Sequence, residues 1–342
     1  MTHLILIRWR VILAVWLLAG TLVFAQQTAQ SLAAAVDAVN MTVSDIDRAA
    51  DFYSQVLQFQ KVSDVEVGGE PYERLEGVFG LRMRVVRMRL GEEHIELTEY
   101  LAPKGRPVPA ESHSNDRSFQ HIAIIVSDMN RAYDWLRRNK VEHVSPSPQR
   151  LPDWNKNAAG IRAFYFKDPD GHPLEILQFP ADKGAEQWHR TSDKLFLGID
   201  HTAIVVADTN ASLTFYRDAL GMRVTGESDN YGVEQERLNN VAGAHLRITS
   251  LRPGAGPGVE LLEYLAPLDG RPYPTDERAC DIVHHQTEII TDDAEAAAQK
   301  LVSAHAKFVS SGVLTESDGQ VGFKKAFLIR DPDGHAILLG EK

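Results

Sequence analysis

The sequence predicts an α+β fold that consists of four copies of a βαβββ module. The first observation behind this prediction is an internal repeat, because four short segments recur 163 to 165 residues further along the chain. The segments and their copies are Phe52-Tyr53 and Phe215-Tyr216, Tyr100-Leu101-Ala102-Pro103 and Tyr264-Leu265-Ala266-Pro267, Gly105-Arg106-Pro107 and Gly270-Arg271-Pro272, and Asp168-Pro169-Asp170-Gly171-His172 and Asp331-Pro332-Asp333-Gly334-His335. The 342-residue chain is therefore predicted to contain two homologous halves.

The second observation is that each half divides again. An apolar strand ends at an aspartate that can cap the helix after it, and this unit occurs four times, with the aspartates Asp45, Asp128, Asp208 and Asp292. After each helix come strand-like runs, the last of which contain Ile95-Glu96-Leu97, Leu174-Glu175-Ile176, Val259-Glu260-Leu261 and Ile337-Leu338-Leu339. One module alone would expose an apolar sheet face, so the modules must pair.

These units set the predicted domain boundaries. The first domain covers residues 36–180, with modules at 36–101 and 119–180. A polar linker follows at 181–197, and the second domain covers residues 198–342, with modules at 198–266 and 281–342. Because one chain supplies all four modules, a monomer would be sufficient to complete the fold.

The N-terminal segment, residues 1–25, is predicted to be a signal peptide. Arg8 and Arg10 precede an apolar run over residues 11–24, and Val23-Phe24-Ala25 is a small-residue cleavage pattern. The alternative is an uncleaved membrane anchor, for which this run is short. In both cases the body of the protein is expected outside the cytoplasm, secreted or periplasmic, and free of the membrane once the signal is cleaved.

Composition excludes several classes of function. The net charge of −11 argues against a basic face that binds nucleic acid. A single cysteine, Cys280, excludes both an intrachain disulfide and a zinc-finger type of site.

The modules, their strand-Asp-helix opening with Phe-Tyr, and the Asp-Pro-Asp-Gly-His turn before a glutamate resemble the vicinal oxygen chelate superfamily. This family contains glyoxalase I, extradiol dioxygenases and bleomycin-resistance proteins, and the resemblance covers residues 36–342. It implies that the modules pair into two cupped, eight-stranded mixed sheets with the helices outside. It also implies that two modules surround a divalent metal, each giving one ligand from its first strand and one from its last.

The resemblance assigns eight ligand positions. Those on the first strands, counted seven residues before the aspartate, are Ala38, His121, His201 and His285, and those on the last strands are Glu96, Glu175, Glu260 and Leu338. Histidine and carboxylate ligands suit Zn, Ni, Co, Mn or Fe(II). Ala38 and Leu338 cannot bind a metal.

Two pairings of the modules remain open. If the second and third modules share a cup, it holds His121, Glu175, His201 and Glu260, and the other cup keeps only Glu96 and His285 as a secondary or decayed site. If neighbours pair, each cup holds three ligands, namely Glu96, His121 and Glu175 in one and His201, Glu260 and His285 in the other. We prefer the first pairing, because both lost ligands then fall in one site.

For the preferred site the resemblance implies a metal-dependent lyase or isomerase that acts on a small oxygenated substrate through a metal-stabilised enediolate. Glu175 or Glu260 would be the general base. Further substrate contacts are expected from Arg106 and Arg271 at the rim and from Tyr100 and Tyr264 on the ligand face of their strands. Glutathione is chiefly intracellular, so export disfavours the glyoxalase I reaction itself.

Two other functions remain as alternatives. One is an extradiol-type dioxygenase, which requires Fe(II) held by two histidines and one glutamate. The other is a protein that binds a small molecule without catalysis, like the resistance-type relatives, and the lost ligands Ala38 and Leu338 favour it for one of the cups.

Overall fold

The computed structural model describes residues 31–315, 320 and 322–342. The expected signal peptide lies outside these residues and stays a prediction. Among the helices of the described part of the chain, none combines the length and the apolar character needed to span a bilayer.

The first half of the chain forms two modules. The first module contains β1 (Ala35–Thr42), α1 (Ile46–Gln55), β2 (Gln60–Gly68), α2 (Glu70–Glu76), β3 (Arg82–Leu90) and β4 (Glu93–Ala102). The second contains β5 (Gln120–Val126), α3 (Met129–Arg138), β6 (Glu142–His143), β7 (Gln149–Arg150), β8 (Arg162–Lys167) and β9 (Pro173–Gln178). A short 3-10 helix, Glu186–His189, lies in the linker.

The second half repeats this order. The third module contains β10 (Phe196–Val206), α4 (Thr209–Leu213) with a π-helical continuation over Thr214–Ala219, β11 (Arg223–Tyr231), α5 (Val233–Asn239), β12 (His245–Arg252) and β13 (Gly258–Ala266). The fourth contains β14 (His285–Ile290), α6 (Ala294–Ser303), β15 (Lys307–Phe308), β16 (Leu314–Thr315), β17 (Lys325–Arg330) and β18 (Ala336–Glu341).

The strands form two mixed sheets, and each sheet takes one module from each half of the sequence. The second and third modules form the middle sheet, in the order β11-β12-β13-β10-β5-β9-β8-β6, with β7 also on β8. The first and fourth form the outer sheet, in the order β15-β17-β18-β14-β1-β4-β3-β2, with β16 also on β17. The predicted α+β fold of four paired modules is confirmed. Each sheet has nine strands rather than eight, because two short strands replace one long strand in the second and fourth modules.

The module openings fold as the sequence indicates, because an aspartate caps each first helix. Asp45, Asp128 and Asp208 are the N-caps of α1, α3 and α4, and each carboxylate accepts a hydrogen bond from a backbone N–H of the first turn. In the fourth module the N-cap of α6 is Asp293, one residue later than the aspartate expected from the sequence. This shift changes the expected ligand position in that module.

The helices join the modules in a different combination from the sheets. One apolar core packs α1 and α3 against the even-numbered residues of β5 and the odd-numbered residues of β1, so it unites the first and second modules. A second core joins the third and fourth modules in the same way. The opposite faces of the strands line the two cups.

The Phe-Tyr motif and the Asp-Pro-Asp-Gly-His turn meet in space. The hydroxyl of Tyr53 on α1 donates to Asp168 at 3.2 Å, and that of Tyr216 donates to Asp331 at 3.1 Å. The same aspartates bind the histidine of their own turn, with His172 Nδ1 at 2.8 Å from Asp168. These turns therefore tie neighbouring modules together.

Candidate metal centre

Strand register brings four of the predicted ligands to one face of the middle sheet. His121 and His201 lie diagonally across the antiparallel pair β5–β10, and each faces an alanine of the other strand. Glu175 on β9 and Glu260 on β13 lie beside those same two alanines in the parallel pairs. Since alternate residues of a strand share a face, all four side chains point into the middle cup.

The side-chain atoms converge at the floor of the cup. Oε2 of Glu175 lies 3.3 Å from Nε2 of His121 and 3.8 Å from Nε2 of His201. One ligand atom from each of these three residues lies within 4.8 Å of the others. Glu260 joins the group through its Oε2, which is 3.3 Å from Nε2 of His201. The structure therefore brings three predicted ligands into one cluster, with the fourth against its edge.

The donor set fits a divalent cation. His121 is buried, and within the described residues neither of its ring nitrogens has a hydrogen-bond partner. A buried polar atom without a partner costs about 1–3 kcal/mol, and a cation bound at Nε2 would remove part of that cost. Two imidazoles with carboxylates are ligands that Zn, Mn, Co, Ni and Fe(II) accept.

The charge around His201 has the sign that attracts a cation. Burial by itself would lower the pKa of His201, but Glu260, Asp200 and Glu175 raise it to about 9. The carboxylates thus make a positively charged species at this imidazole favourable.

Asp200 orients His201 and was missed by the sequence analysis. Its Oδ2 lies 3.0 Å from Nδ1 of His201, which must donate to it, and this fixes Nε2 as the nitrogen that faces the cluster. Asp200 is itself held by Arg252 at 2.6 Å and by the indole N–H of Trp188 at 2.9 Å. The alternation of a regular strand would point Asp200 away from the cup, but β10 has a register shift between Ile199 and His201. The sequence offers no sign of this bulge.

The two glutamates differ in their surroundings. The side chain of Glu175 is 5% exposed, whereas that of Glu260 is 22% exposed. The hydroxyl of Ser250 donates to Oε1 of Glu260 at 2.6 Å, which leaves Oε2 directed at His201. A cavity of about 570 Å³ opens above these residues, and apolar side chains such as Leu151, Ile161 and Leu262 form much of its wall. The site can therefore admit a small molecule next to Glu260.

The outer cup corrects one prediction. His285 was expected there, but the register places Gln286 and Glu288 opposite Asn40 and Ala38 on the cup face. The reason is the cap: counting seven residues back from Asp293 instead of Asp292 gives Gln286, whose amide donates to Glu76 at 2.6 Å. His285 lies on the opposite face of β14, so its side chain is not in the outer cup with Glu96.

Glu96 does lie in the outer cup, where protein groups hold it. Arg87 lies 2.7 Å from Glu96 and 2.9 Å from Asp37, so one guanidinium binds two carboxylates. The remaining space is about 30 Å³, bordered by Leu338 and Phe323 among others. This cup is a packed interior with room for about one water molecule.

Comparison with known proteins agrees with this architecture. The family model described as "Glyoxalase/Bleomycin resistance protein/Dioxygenase superfamily" matches residues 35–176 and 198–339. The chain belongs to this superfamily. Its members include metal-dependent proteins that act on small molecules.

Three relatives within the superfamily illustrate its range. A 2-epi-5-epi-valiolone epimerase from an Actinomyces species is 34% identical over 161 residues, which cover 45% of this chain and 85% of the epimerase. The metallothiol transferase FosB of Staphylococcus epidermidis is 25% identical over 143 residues, 41% of this chain and 79% of the transferase. The crystal structure of glyoxalase I from Zea mays is similar in fold, with a TM-score of 0.57 and 17% identity over 90% of this chain and 92% of that one.

The expected substrate contacts of this superfamily member lie elsewhere. Arg106 binds Asp281 and Asp276, and Arg271 binds Asp116, so both arginines anchor the loops that connect modules. The hydroxyl of Tyr264 accepts a hydrogen bond from Asn239 at 2.7 Å. Tyr100 borders the small outer cavity. None of these four residues lines the cavity of about 570 Å³, although Tyr264 lies on the cup face of β13 and packs with Leu262 and Tyr165. The ion-pair partners of the two arginines are distant in sequence, which is why the sequence did not reveal them.

Proposed function

We propose that the protein is a metal-dependent isomerase or lyase that transfers a proton at the carbon next to a carbonyl group of a small oxygenated molecule. The observation that carries this proposal is the convergence of His121, Glu175 and His201, whose ligand atoms lie within 4.8 Å of one another at the floor of a cavity.

His121, His201 and Glu175 would hold a divalent ion, with Glu260 as a further ligand or a neighbour. Such an ion, when bound, supplies a Lewis acid that polarises substrate oxygens and acidifies the adjacent C–H bond. The identity of the metal follows from reconstitution, because this donor set accepts several.

We assign the proton acceptor to Glu260 and the ligand role to Glu175. Glu175 lies between two imidazoles and is buried, so a substrate carbon can approach it less easily than it can approach Glu260. Glu260 is the more exposed carboxylate, and its Oε1 is held by Ser250, so its other oxygen has a fixed direction. A carboxylate with one oxygen fixed and one near the reacting centre can accept and return a proton.

The name of one relative supports this reaction class. The Actinomyces protein is described as an epimerase, and epimerisation beside a carbonyl is a proton transfer of the proposed type. We further propose that residues 1–25 export the protein, as Arg8, Arg10 and the apolar run after them favour. A substrate outside the cytoplasm would not depend on glutathione. Fractionation of cells that express the full chain tests the location, and recovery of the protein in the cytoplasm would contradict it.

Metal content and proton exchange test the reaction. Apoprotein is reconstituted with Zn, Ni, Co or Mn and incubated in D₂O with dihydroxyacetone and related α-hydroxy ketones, while NMR follows replacement of C–H by C–D. Wild type should bind one ion and catalyse exchange. Glu175→Ala should lose both properties, and Glu260→Gln should keep the metal but lose exchange.

The internal repeat provides a matched control. Glu96 occupies in the outer cup the position that Glu260 occupies in the middle cup, since each lies on the fourth strand of its module beside the first. Glu96→Gln should therefore leave metal content and exchange unchanged. Full metal binding by Glu175→Ala would overturn the assigned site. If the wild-type protein neither binds metal nor catalyses exchange, that result would favour a non-catalytic binding function.

An extradiol-type dioxygenase is the second candidate. The observation that favours it is that the three closest donors are two histidines and one glutamate, the set that non-haem Fe(II) oxygenases use. Fe(II)-loaded protein is incubated anaerobically with catechol and then exposed to oxygen. A yellow ring-cleavage product with uptake of oxygen would support this reading over the isomerase, and unchanged catechol would exclude catechol cleavage.

A further inference from the structure

A second cavity, of about 340 Å³, lies apart from the metal centre. It is enclosed by the loop between β4 and β5, by the Asp-Pro-Asp-Gly-His turn of the second module, and by the start of β14. Val108, Phe119, Lys167 and His285 are among its lining residues.

The equivalent place in the other half of the molecule is filled. The loop before β14 repeats the loop before β5, and Tyr273 stands where the first loop has Val108. Tyr273 is buried, and its ring lies 5.4 Å from that of His335 and 5.8 Å from the guanidinium of Arg330. A Cβ placed on Gly334 would lie 3.1 Å from the ring of Tyr273, whereas one placed on Gly171 would lie 3.9 Å from Val108. Val108 and Gly171 therefore border an open cavity where the second half has an aromatic ring.

An ion cluster also fills this equivalent place in the second half, which we call the closed corner; the cavity of about 340 Å³ in the first half is the open corner. Glu277 binds Arg330 at 2.5 Å and His284 at 2.6 Å, and all three are largely buried. The residues at these positions in the first half are Ser112, Lys167 and Phe119, which cannot form such a cluster. Backbone hydrogen bonds confirm the equivalence: Ser112 N–H donates to Pro109 as Glu277 N–H does to Pro274, and Phe119 N–H donates to Asp116 as His284 N–H does to Asp281. Four substitutions thus distinguish an open corner from a closed one.

The open corner contains a buried acceptor without a partner. His285 is 4% exposed, and its Nδ1 lies 3.1 Å from the carbonyl of Val283, which leaves the proton on Nδ1. Its Nε2 is buried and has no hydrogen-bond partner in the part of the chain that the structure describes. Gln120, the first residue of β5, holds the equivalent position and is satisfied by donation to Thr202 at 3.0 Å. Burial and the nearby His172 lower the pKa of His285 to about 3, so the ring stays neutral.

The charges that line the cavity are paired within the protein. Lys167 lies 2.7 Å from Glu142, and Asp170 binds both Arg48 and the hydroxyl of Ser44. The ligand should therefore carry no net charge, because a charged one would find no free counter-ion. Ser118 and Asn240 add polar groups to the lining, and Phe119 and Pro173 add apolar faces. A volume of this size accommodates a substituted six-membered ring.

We propose that this cavity is a binding site for a small, neutral, polyhydroxylated ring molecule of monosaccharide or cyclitol size, one hydroxyl of which donates a hydrogen bond to Nε2 of His285. The remaining hydroxyls meet Ser118 and Asn240, and the ring packs on Phe119. Such a ligand supplies the donor that His285 lacks and leaves the paired charges undisturbed.

The test uses myo-inositol and D-glucose as probes. Full-length protein carrying histidine labelled with ¹³C at Cε1 is titrated with each probe, and the His285 signal is assigned by its loss in His285→Phe. We expect a saturable shift of this signal with at least one probe. Equilibrium dialysis with the radiolabelled probe gives the affinity, which His285→Phe should weaken about five- to tenfold, the value of one hydrogen bond between neutral groups.

Filling and control variants locate the site. Val108→Tyr introduces the residue that fills the equivalent corner, so it should abolish binding; Val108→Phe serves if Val108→Tyr does not melt cooperatively. Glu175→Ala alters the metal centre and should leave probe binding unchanged. Absence of a saturable shift with both probes, or undiminished binding by the filled variant, would overturn the proposal. Binding that is lost in Glu175→Ala but kept in Val108→Tyr would place the probe in the middle cup and would equally overturn it.

Discussion

Replacing Asp200 by asparagine should weaken metal binding while the fold is retained. Asp200 accepts from Nδ1 of His201 at 3.0 Å, and the same carboxylate binds Arg252 at 2.6 Å. Both donors meet Oδ2, while the indole N–H of Trp188 donates to Oδ1. An asparagine whose oxygen faces His201 and Arg252 therefore turns its NH₂ group toward the Trp188 N–H, and the opposite orientation turns it toward His201 and Arg252. In both orientations an ionic hydrogen bond to the imidazole becomes a neutral one or is lost, and the site loses one negative charge.

The magnitude follows from the lost contacts. A hydrogen bond with an ionised partner contributes about 1.5–3 kcal/mol, and asparagine keeps part of it. A tenfold change in affinity corresponds to about 1.4 kcal/mol, so the dissociation constant of the metal should rise about 10- to 100-fold. Competition between apoprotein and a chromophoric chelator for Co²⁺ or Zn²⁺ measures this constant.

Asp37 gives the matched control. It holds in the outer sheet the place of Asp200, one residue before the first-strand ligand position, and it binds Arg87 and Lys342. Asp37→Asn should change stability without changing metal affinity. An Asp200→Asn protein that binds metal as tightly as wild type would refute the view that Asp200 orients His201.

Three further predictions concern stability. Tyr53→Phe and Tyr216→Phe should each lower the free energy of unfolding by about 1 kcal/mol, because each removes a donor to a buried turn aspartate; equal stability in urea titrations would contradict this. Burial alone would raise the pKa of Glu277, but His284 and Arg330 lower it to about 2, so its contribution is present above about pH 4.5 and is lost as the pH falls toward 2. Urea midpoints of Glu277→Gln should therefore fall less between pH 5 and pH 3 than those of wild type, and parallel curves would contradict the assignment. Burial alone would lower the pKa of His172, but Asp168 raises it to about 9. The contribution of His172 to the free energy of unfolding is therefore complete below about pH 6.5 and is lost as the pH rises through 9. A His172→Gln protein should lack this alkaline loss of stability, and a variant that retains it would refute the pairing.

The sequence predicted the fold because its signals are local and repeated. The helix caps, the alternation of the strands and the tandem turns each depend on residues a few positions apart, and four copies reinforce one another. The resemblance to the vicinal oxygen chelate superfamily, applied to these repeated units, assigned His121, His201, Glu175 and Glu260 to one cup, and the strand register places them on one face.

The missed features depend on single-residue shifts or on distant partners. Asp292 and Asp293 are both able to cap a helix, and only the structure shows that the second one does, which moves the ligand position from His285 to Gln286. Asp200 reaches His201 because of a bulge that the sequence does not mark. Arg106 finds its carboxylate at Asp281, across the interface between the first and fourth modules, so its role could not be derived from its neighbours.

The crossed arrangement of modules has an evolutionary consequence. Two separate copies of one ancestral half, assembled as a symmetric dimer, would have contained two identical hollows, and any substitution in one would have appeared in the other. Fusion into a single polypeptide releases that constraint. One hollow can then exchange its ligands for leucine, alanine and glutamine and become a packed interior that stabilises the fold, while its counterpart keeps the cluster of histidines and glutamates.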